Sequence, residues 1–71
     1  MTYETALKRT GINVTKVIGI DQYIGRTPQG QHFYLRQTCH NSNNYWVIDI
    51  GGNTVGTRCC FRTAVKKIKA N

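Results

Sequence analysis

Cys39 and His40 are adjacent in the run Gln37-Thr38-Cys39-His40, and Cys59 and Cys60 are adjacent further along the chain. With His32, these are the side chains whose types suit a zinc site or a thiolate with an imidazole base. Structural zinc sites separate paired ligands by two to four residues so that both can turn toward one ion. Adjacent residues on a strand point to opposite faces, so Cys39, His40, Cys59 and Cys60 do not add up to a metal site, and no cofactor is expected. Nucleophilic catalysis meets the same obstacle, because a general base must reach its nucleophile across space. The three acids, Glu4, Asp21 and Asp49, leave little for acid–base work. Gly51-Gly52 lacks the lysine and the strand-to-helix context of a phosphate loop. An enzyme is not expected.

The three cysteines are an odd number, unlike a secreted disulfide scaffold. A Cys39–Cys59 or Cys39–Cys60 bridge would not persist in a reducing compartment, and Cys59 reads as a small buried apolar group. The opening MTYETALKRTG has no apolar stretch of the kind a secretory signal needs, and no run approaches the roughly 20 apolar residues that cross a bilayer. The expectation is a cytoplasmic protein with no membrane partner.

Ten Lys and Arg against three acids give a net charge of +7. That field attracts nucleic acid, anionic lipid or acidic protein surfaces, although small soluble domains also carry net charge for solubility alone. At 71 residues, a single domain spanning 1–71 is expected, burying roughly 60% of its unfolded surface.

The elements that must position these residues read as follows. Residues 2–10 form a short helix, with Thr2 as its N-cap and Glu4, Lys8 and Arg9 matched to the helix dipole. Gly11 stops it in a left-handed conformation, with Leu7 and Ile12 making the accompanying apolar contact. Residues 14–25 are β-branched and alternating, a first strand in which Gly19 or Gly25 marks a bulge or bend. Thr27-Pro28-Gln29-Gly30 is a turn, and residues 31–38 form a second strand. Asn41 to Asn44 break the pattern, residues 45–50 form a third strand, and Gly51-Gly52-Asn53 signals a tight hairpin. Residues 54–62 form a fourth strand. Phe61, Val65 and Ile68, spaced i, i+4, i+7, suggest a C-terminal helix over 63–70. The fold class is α+β: a short helix, an antiparallel meander of three or four strands, curled to a half-barrel or left open, and a second short helix.

Alternation assigns Phe33, Leu35, Trp46, Ile48, Ile50, Val55, Cys59 and Phe61 to the core, with Thr57 in phase with them. The other face then carries His32, Tyr34, Arg36, Tyr45, Arg58 and Arg62. Tyrosines among arginines can stack bases and contact phosphates; equally, Tyr–Arg pairs are ordinary cross-strand neighbours on a solvated sheet. Asp49 lies among them, placed to pair with Arg36 or Arg58. Lys66, Lys67 and Lys69 form a second basic cluster, either a nucleic-acid contact or a solvated helix end.

The run TVGTRCCFRTAVKK resembles the strand-to-helix junction of AP2-type DNA-binding domains, where three strands precede a helix. The helix is much longer in that family, and no site residue is carried over. Three readings follow. The first is a nucleic-acid-binding protein using Tyr34, Arg36, Tyr45, Arg58 and Arg62, with Lys66, Lys67 and Lys69 as auxiliaries. The second is a protein-interaction module, such as a small phage- or plasmid-encoded inhibitor of a host protein or nucleoprotein complex. The third is a homodimer, allowed by a third strand that is apolar on both sides.

Overall fold

A computed structural model describes residues 3–19 and 21–71, with the backbone alone at Lys16. The elements run α1 (Tyr3–Arg9), β1 (Asn13–Gly19), β2 (Gln22–Arg26), β3 (His32–His40), β4 (Asn43–Ile50), β5 (Asn53–Cys59) and α2 (Phe61–Lys69). The strands form one antiparallel meander in sequence order, β1-β2-β3-β4-β5. Among the described residues no pairing joins β1 to β5, so the sheet they form is open and not a closed barrel. No described helix is long and apolar enough to cross a membrane.

Among the described residues the meander has five strands where the sequence pattern suggested three or four. The extra one comes from residues 14–25, which fold back on themselves so that Gly19 pairs with Gln22. Asp21 enters the left-handed region at φ 55°, a conformation that Asp tolerates better than most residues. The expected break at 41–44 is also shorter than its composition suggested. Only Asn41 and Ser42 leave the ladder, at φ 52° and 65°, and this two-residue hairpin matches the twist of its strands. Gly51 and Gly52, at φ 59° and 86°, make a second such hairpin, as their sequence indicates.

α1 ends as the sequence predicts. Gly11 takes φ 87°, its N–H donates to the Lys8 carbonyl at 3.1 Å, and the Ile12 N–H donates to the Leu7 carbonyl at 3.2 Å. This Schellman pattern brings Ile12 back over Leu7, and both are buried. The proposed cap, Thr2, lies outside the described residues, as does Ile20 of the alternating run.

Both helices pack on the same face of the sheet. Leu7 and Ile12 from the α1 region and Ala64 and Ile68 from α2 share one core with Tyr23, Phe33, Leu35, Trp46, Ile48, Ile50 and Cys59. The sequence assigned the core positions of β3 and β4 correctly. The assignment fails at Thr57, which is exposed. Trp46 pairs with Cys59, Ile48 with Gly56 and Asp49 with Thr54, so β5 takes one residue more than β4 at each of two steps. Each extra residue inverts the alternation. The other edge behaves alike: β1 takes an extra residue against β2 between Val14 and Lys16 and another between Val17 and Gly19. The interior pairings β2–β3 and β3–β4 run without a shift. At the first β1 irregularity, the chain passes so close to Gly25 that a β-carbon there would strike the Asn13 carbonyl oxygen and the Phe33 ring.

Two glycines therefore predict different failures. At Gly11 a methyl group meets open space, so Gly11→Ala is expected to cost only the left-handed strain, about 1–2 kcal/mol. Gly25→Ala is expected to cost about 3 kcal/mol or more through overpacking. Urea unfolding of both variants checks the order; equal losses would contradict the close approach at Gly25.

Candidate nucleic-acid interface

The open face of the sheet carries Gln22, Ile24, Tyr34, Arg36, Thr38, Tyr45, Val47 and Asp49, because these positions alternate with the core set through unshifted registers. Tyr34 pairs with Asp49, Arg36 with Val47 and Thr38 with Tyr45. The Arg36 guanidinium lies 5.1 Å from the centroid of the Tyr34 ring and donates to Asp49 Oδ2 at 3.1 Å. The Thr54 hydroxyl donates to Asp49 Oδ1 at 2.6 Å, and the Tyr34 hydroxyl donates to Gln22 Oε1 at 3.3 Å. Of the two arginines placed to meet Asp49, it is Arg36 that does so.

This network holds the Asp49 carboxyl below the usual carboxylate range, first through the Thr54 hydroxyl and then through Arg36, with partial desolvation opposing them. Arg36 is thus already engaged by an aromatic ring and a carboxylate. Beside it, Val47 is buried although it faces away from the core cluster; Arg36 flanks it across the strand pair.

Arg58 sits at the other end of this face. Its guanidinium lies 3.1 Å from His40 Nε2. Arginine can only donate, so Nε2 is the acceptor in this contact. Tyr45 is half-buried, whereas Arg58 and His32 are exposed.

Arg62 does not join this face. The sequence placed it in the fourth strand, but α2 begins at Phe61, with Cys60 as an extended N-cap at φ −73°, ψ 165°. The apolar period Phe61, Val65, Ile68 already marks that start. The helix won because Phe61 packs inward against Tyr3, centroids 4.9 Å apart, and Trp46, 5.3 Å apart. Arg62 therefore belongs with Lys66, Lys67 and Lys69 on the helix side of the sheet. Arg62, Lys66 and Lys69 are exposed at i, i+4, i+7, opposite buried Ala64 and Ile68. The Lys67 stem passes over Gly56 on β5.

The far end of α2 is not a frayed tail. The Asn71 side chain donates to the Lys67 carbonyl at 2.8 Å, and its N–H donates to the Ile68 carbonyl at 3.2 Å. Its main-chain oxygen accepts from the buried Thr27 hydroxyl at 2.7 Å and from Gln31 Nε2 at 3.3 Å. The Pro28 turn, closed by the Gly30 N–H donating to the Thr27 carbonyl at 2.9 Å, thus anchors the helix.

All three cysteines are free, Cys59 buried and Cys39 and Cys60 exposed. The Cys60 Sγ lies 3.2 Å from the Thr63 hydroxyl. That contact, aided by N–H groups of the first helical turn, draws the thiol pKa down. Among the described residues, no three of His, Cys, Asp and Glu converge as metal ligands, and no pocket indents the surface they form.

No family model, curated protein or solved structure matches the chain. The likeness of the β5–α2 junction to AP2-type domains therefore carries no argument, and the site rests on its own geometry.

Two predictions follow from this geometry. A folded-state pKa below the unfolded one means that ionised Asp49 adds stability above the unfolded value, about 3.9. That increment is lost as pH falls through the lower folded value. Asp49→Asn is expected to destabilise at neutral pH and to approach the parent as pH falls through the lowered folded value; an equal loss at neutral and acid pH would remove the ionic contribution. Thr27→Val keeps the side-chain shape, deletes the anchoring hydroxyl and is expected to cost about 1 kcal/mol. Amide exchange at Ala70 and Asn71 should quicken; unchanged exchange there counts against the anchor.

Proposed function

We propose that this chain is a small, non-enzymatic nucleic-acid-binding protein of the cytoplasm that holds its ligand chiefly by charge. The observation that carries the reading is the basic face of α2. Arg62, Lys66, Lys67 and Lys69 lie within nine residues that contain no acid, and among the described residues none of the four meets a carboxylate. The two ion pairs found there are Lys8–Glu4 and Arg36–Asp49, at 3.0 and 3.1 Å. A basic surface without internal counter-charge is what a phosphate backbone would neutralise. The sheet residues Tyr34, Arg36, Tyr45 and Arg58 become the auxiliaries, because Arg36 is already engaged by the Tyr34 ring and by Asp49.

The test is a binding titration with mixed-sequence nucleic acid at increasing salt. The expected result is an affinity that falls steeply, because each phosphate contact releases counterions, and that is lost when Arg62, Lys66 and Lys69 are changed together to Gln. Absence of binding at low salt, or salt-insensitive binding, removes the reading.

A second reading is favoured by the open sheet face. Tyr34 and Tyr45 are half-buried aromatics on a face that neither helix covers, and such residues serve as interface anchors. A protein-interaction module, for instance a small phage- or plasmid-encoded inhibitor of a host protein or nucleoprotein complex, or contact between two copies of the chain, would use this face and leave the helix cations as steering charge.

A further inference from the structure

We propose, resting on the nucleic-acid reading above, that α2 takes the phosphate backbone of a duplex and does not read its sequence. The inference comes from where the fold puts its aromatic rings relative to its cations.

A single-strand binder sets aromatic side chains beside its cations, so that bases stack while phosphates are neutralised. Here the two are separated. On the helix side, the rings are occupied with one another: Tyr3 lies 4.8 Å from Trp46 and 4.9 Å from Phe61, Trp46 lies 5.3 Å from Phe61, and Tyr23 stacks at 6.5 Å from Trp46. Trp46 and Tyr23 are buried, and Phe61 is partly so. The remaining tyrosines, Tyr34 and Tyr45, stand on the opposite face of the sheet from α2. Among these rings Tyr3 is the exposed one, and it is already packed against Trp46 and Phe61. A base approaching Arg62, Lys66 or Lys69 therefore meets a single ring that is held in the core cluster and not a row of open ones.

Charge is what remains, and its spacing is fixed. Arg62 to Lys69 covers roughly 10 Å of helix at 1.5 Å per residue. The stripe is held at one end by Phe61 against Tyr3 and Trp46, and at the other by Asn71 on Thr27. A rigid row of cations gains most from the polyanion with the denser charge. A duplex carries one negative charge per ~1.7 Å of axis and releases more counterion per contact than a single strand. The outward stripe bears no Asn or Gln to pair with adenine edges, and only Arg62 among its three cations has the planar fork that grips a guanine edge. A row made mainly of lysine point charges therefore favours phosphate over base, and sequence preference is expected to be weak.

The test is fluorescence anisotropy of the full chain with two labelled duplexes of unrelated sequence and one single strand of equal length, across a salt series. Both duplexes are expected to bind alike and more tightly than the single strand. The plot of log affinity against log salt should have a slope of about −2.7 or steeper for three cations. The triple variant Arg62→Gln, Lys66→Gln, Lys69→Gln should lose roughly 2.7 of that slope with its far-UV circular dichroism unchanged. Tighter single-strand binding that falls in Tyr34→Ala or Tyr45→Ala overturns the duplex inference while the nucleic-acid reading stands. Inorganic polyphosphate displacing the duplex at equal charge concentration overturns it in favour of general polyanion capture. No binding of either nucleic acid at low salt removes the underlying reading as well.

Discussion

Trp46 is the contact on which the arrangement depends. Its indole meets Tyr3 of α1, Phe61 of α2 and Tyr23 of β2, and its backbone is in register with Gln37 of β3 and Cys59 of β5. A chain this short has few ways to bury enough apolar surface, and large rings contribute the most burial per residue. Concentrating them at one point seats both helices on one face of the sheet. It also decides what the other face can be, because the rings left over, Tyr34 and Tyr45, have no helix above them.

The charges divide along the same plane. On the open face, Arg36 joins the Tyr34 ring to Asp49, which also accepts from Thr54, in a network that orders the surface and offsets one cation. Behind the sheet, α2 carries its cations with no acid in the helix. Two of the three acids gather elsewhere: Glu4 and Asp21 both act on Tyr23, whose hydroxyl pKa is raised mainly by burial and then by these two carboxylates. The distribution is uneven enough that the net charge of the composition becomes a located one.

Much of this was legible in the sequence wherever the signal was local. Gly11 after Leu7-Lys8-Arg9, Pro28 before Gly30, and the Gly51-Gly52 pair each dictate a backbone conformation with little regard to context. Alternation at Phe33 and Leu35, and the choice of the larger set Trp46, Ile48 and Ile50 in a strand apolar on both sides, identified the core of β3 and β4. The misses share a cause. The turn at Asp21 has no Gly or Pro at its centre, so β-branched neighbours concealed it. The extra residues in β5 are a matter of pairing, visible only once β4 lies alongside, and they turned Thr57 outward. Phe61 and Arg62 fit a strand and a helix equally well on local grounds; the ring contacts with Tyr3 and Trp46 decided it, and with it the side on which Arg62 stands. The cations could be counted from the sequence, and a partner for Asp49 foreseen, but not the sorting of arginine and tyrosine onto opposite surfaces.

The extra residues of β1 and β5 have a consequence beyond their own strands. An open five-stranded sheet ends in two rows of unpaired amides and carbonyls, each a template on which another chain could grow as a further strand. In this protein the shifts fall in the two outermost strand pairs and nowhere between. Each interrupts the straight ladder that edge-to-edge growth requires, beside the exposed Val17 and Ile18 in β1. The irregular margins thus act as a guard against fibre-like stacking, leaving a sticky apolar strand end tolerable in a crowded solution.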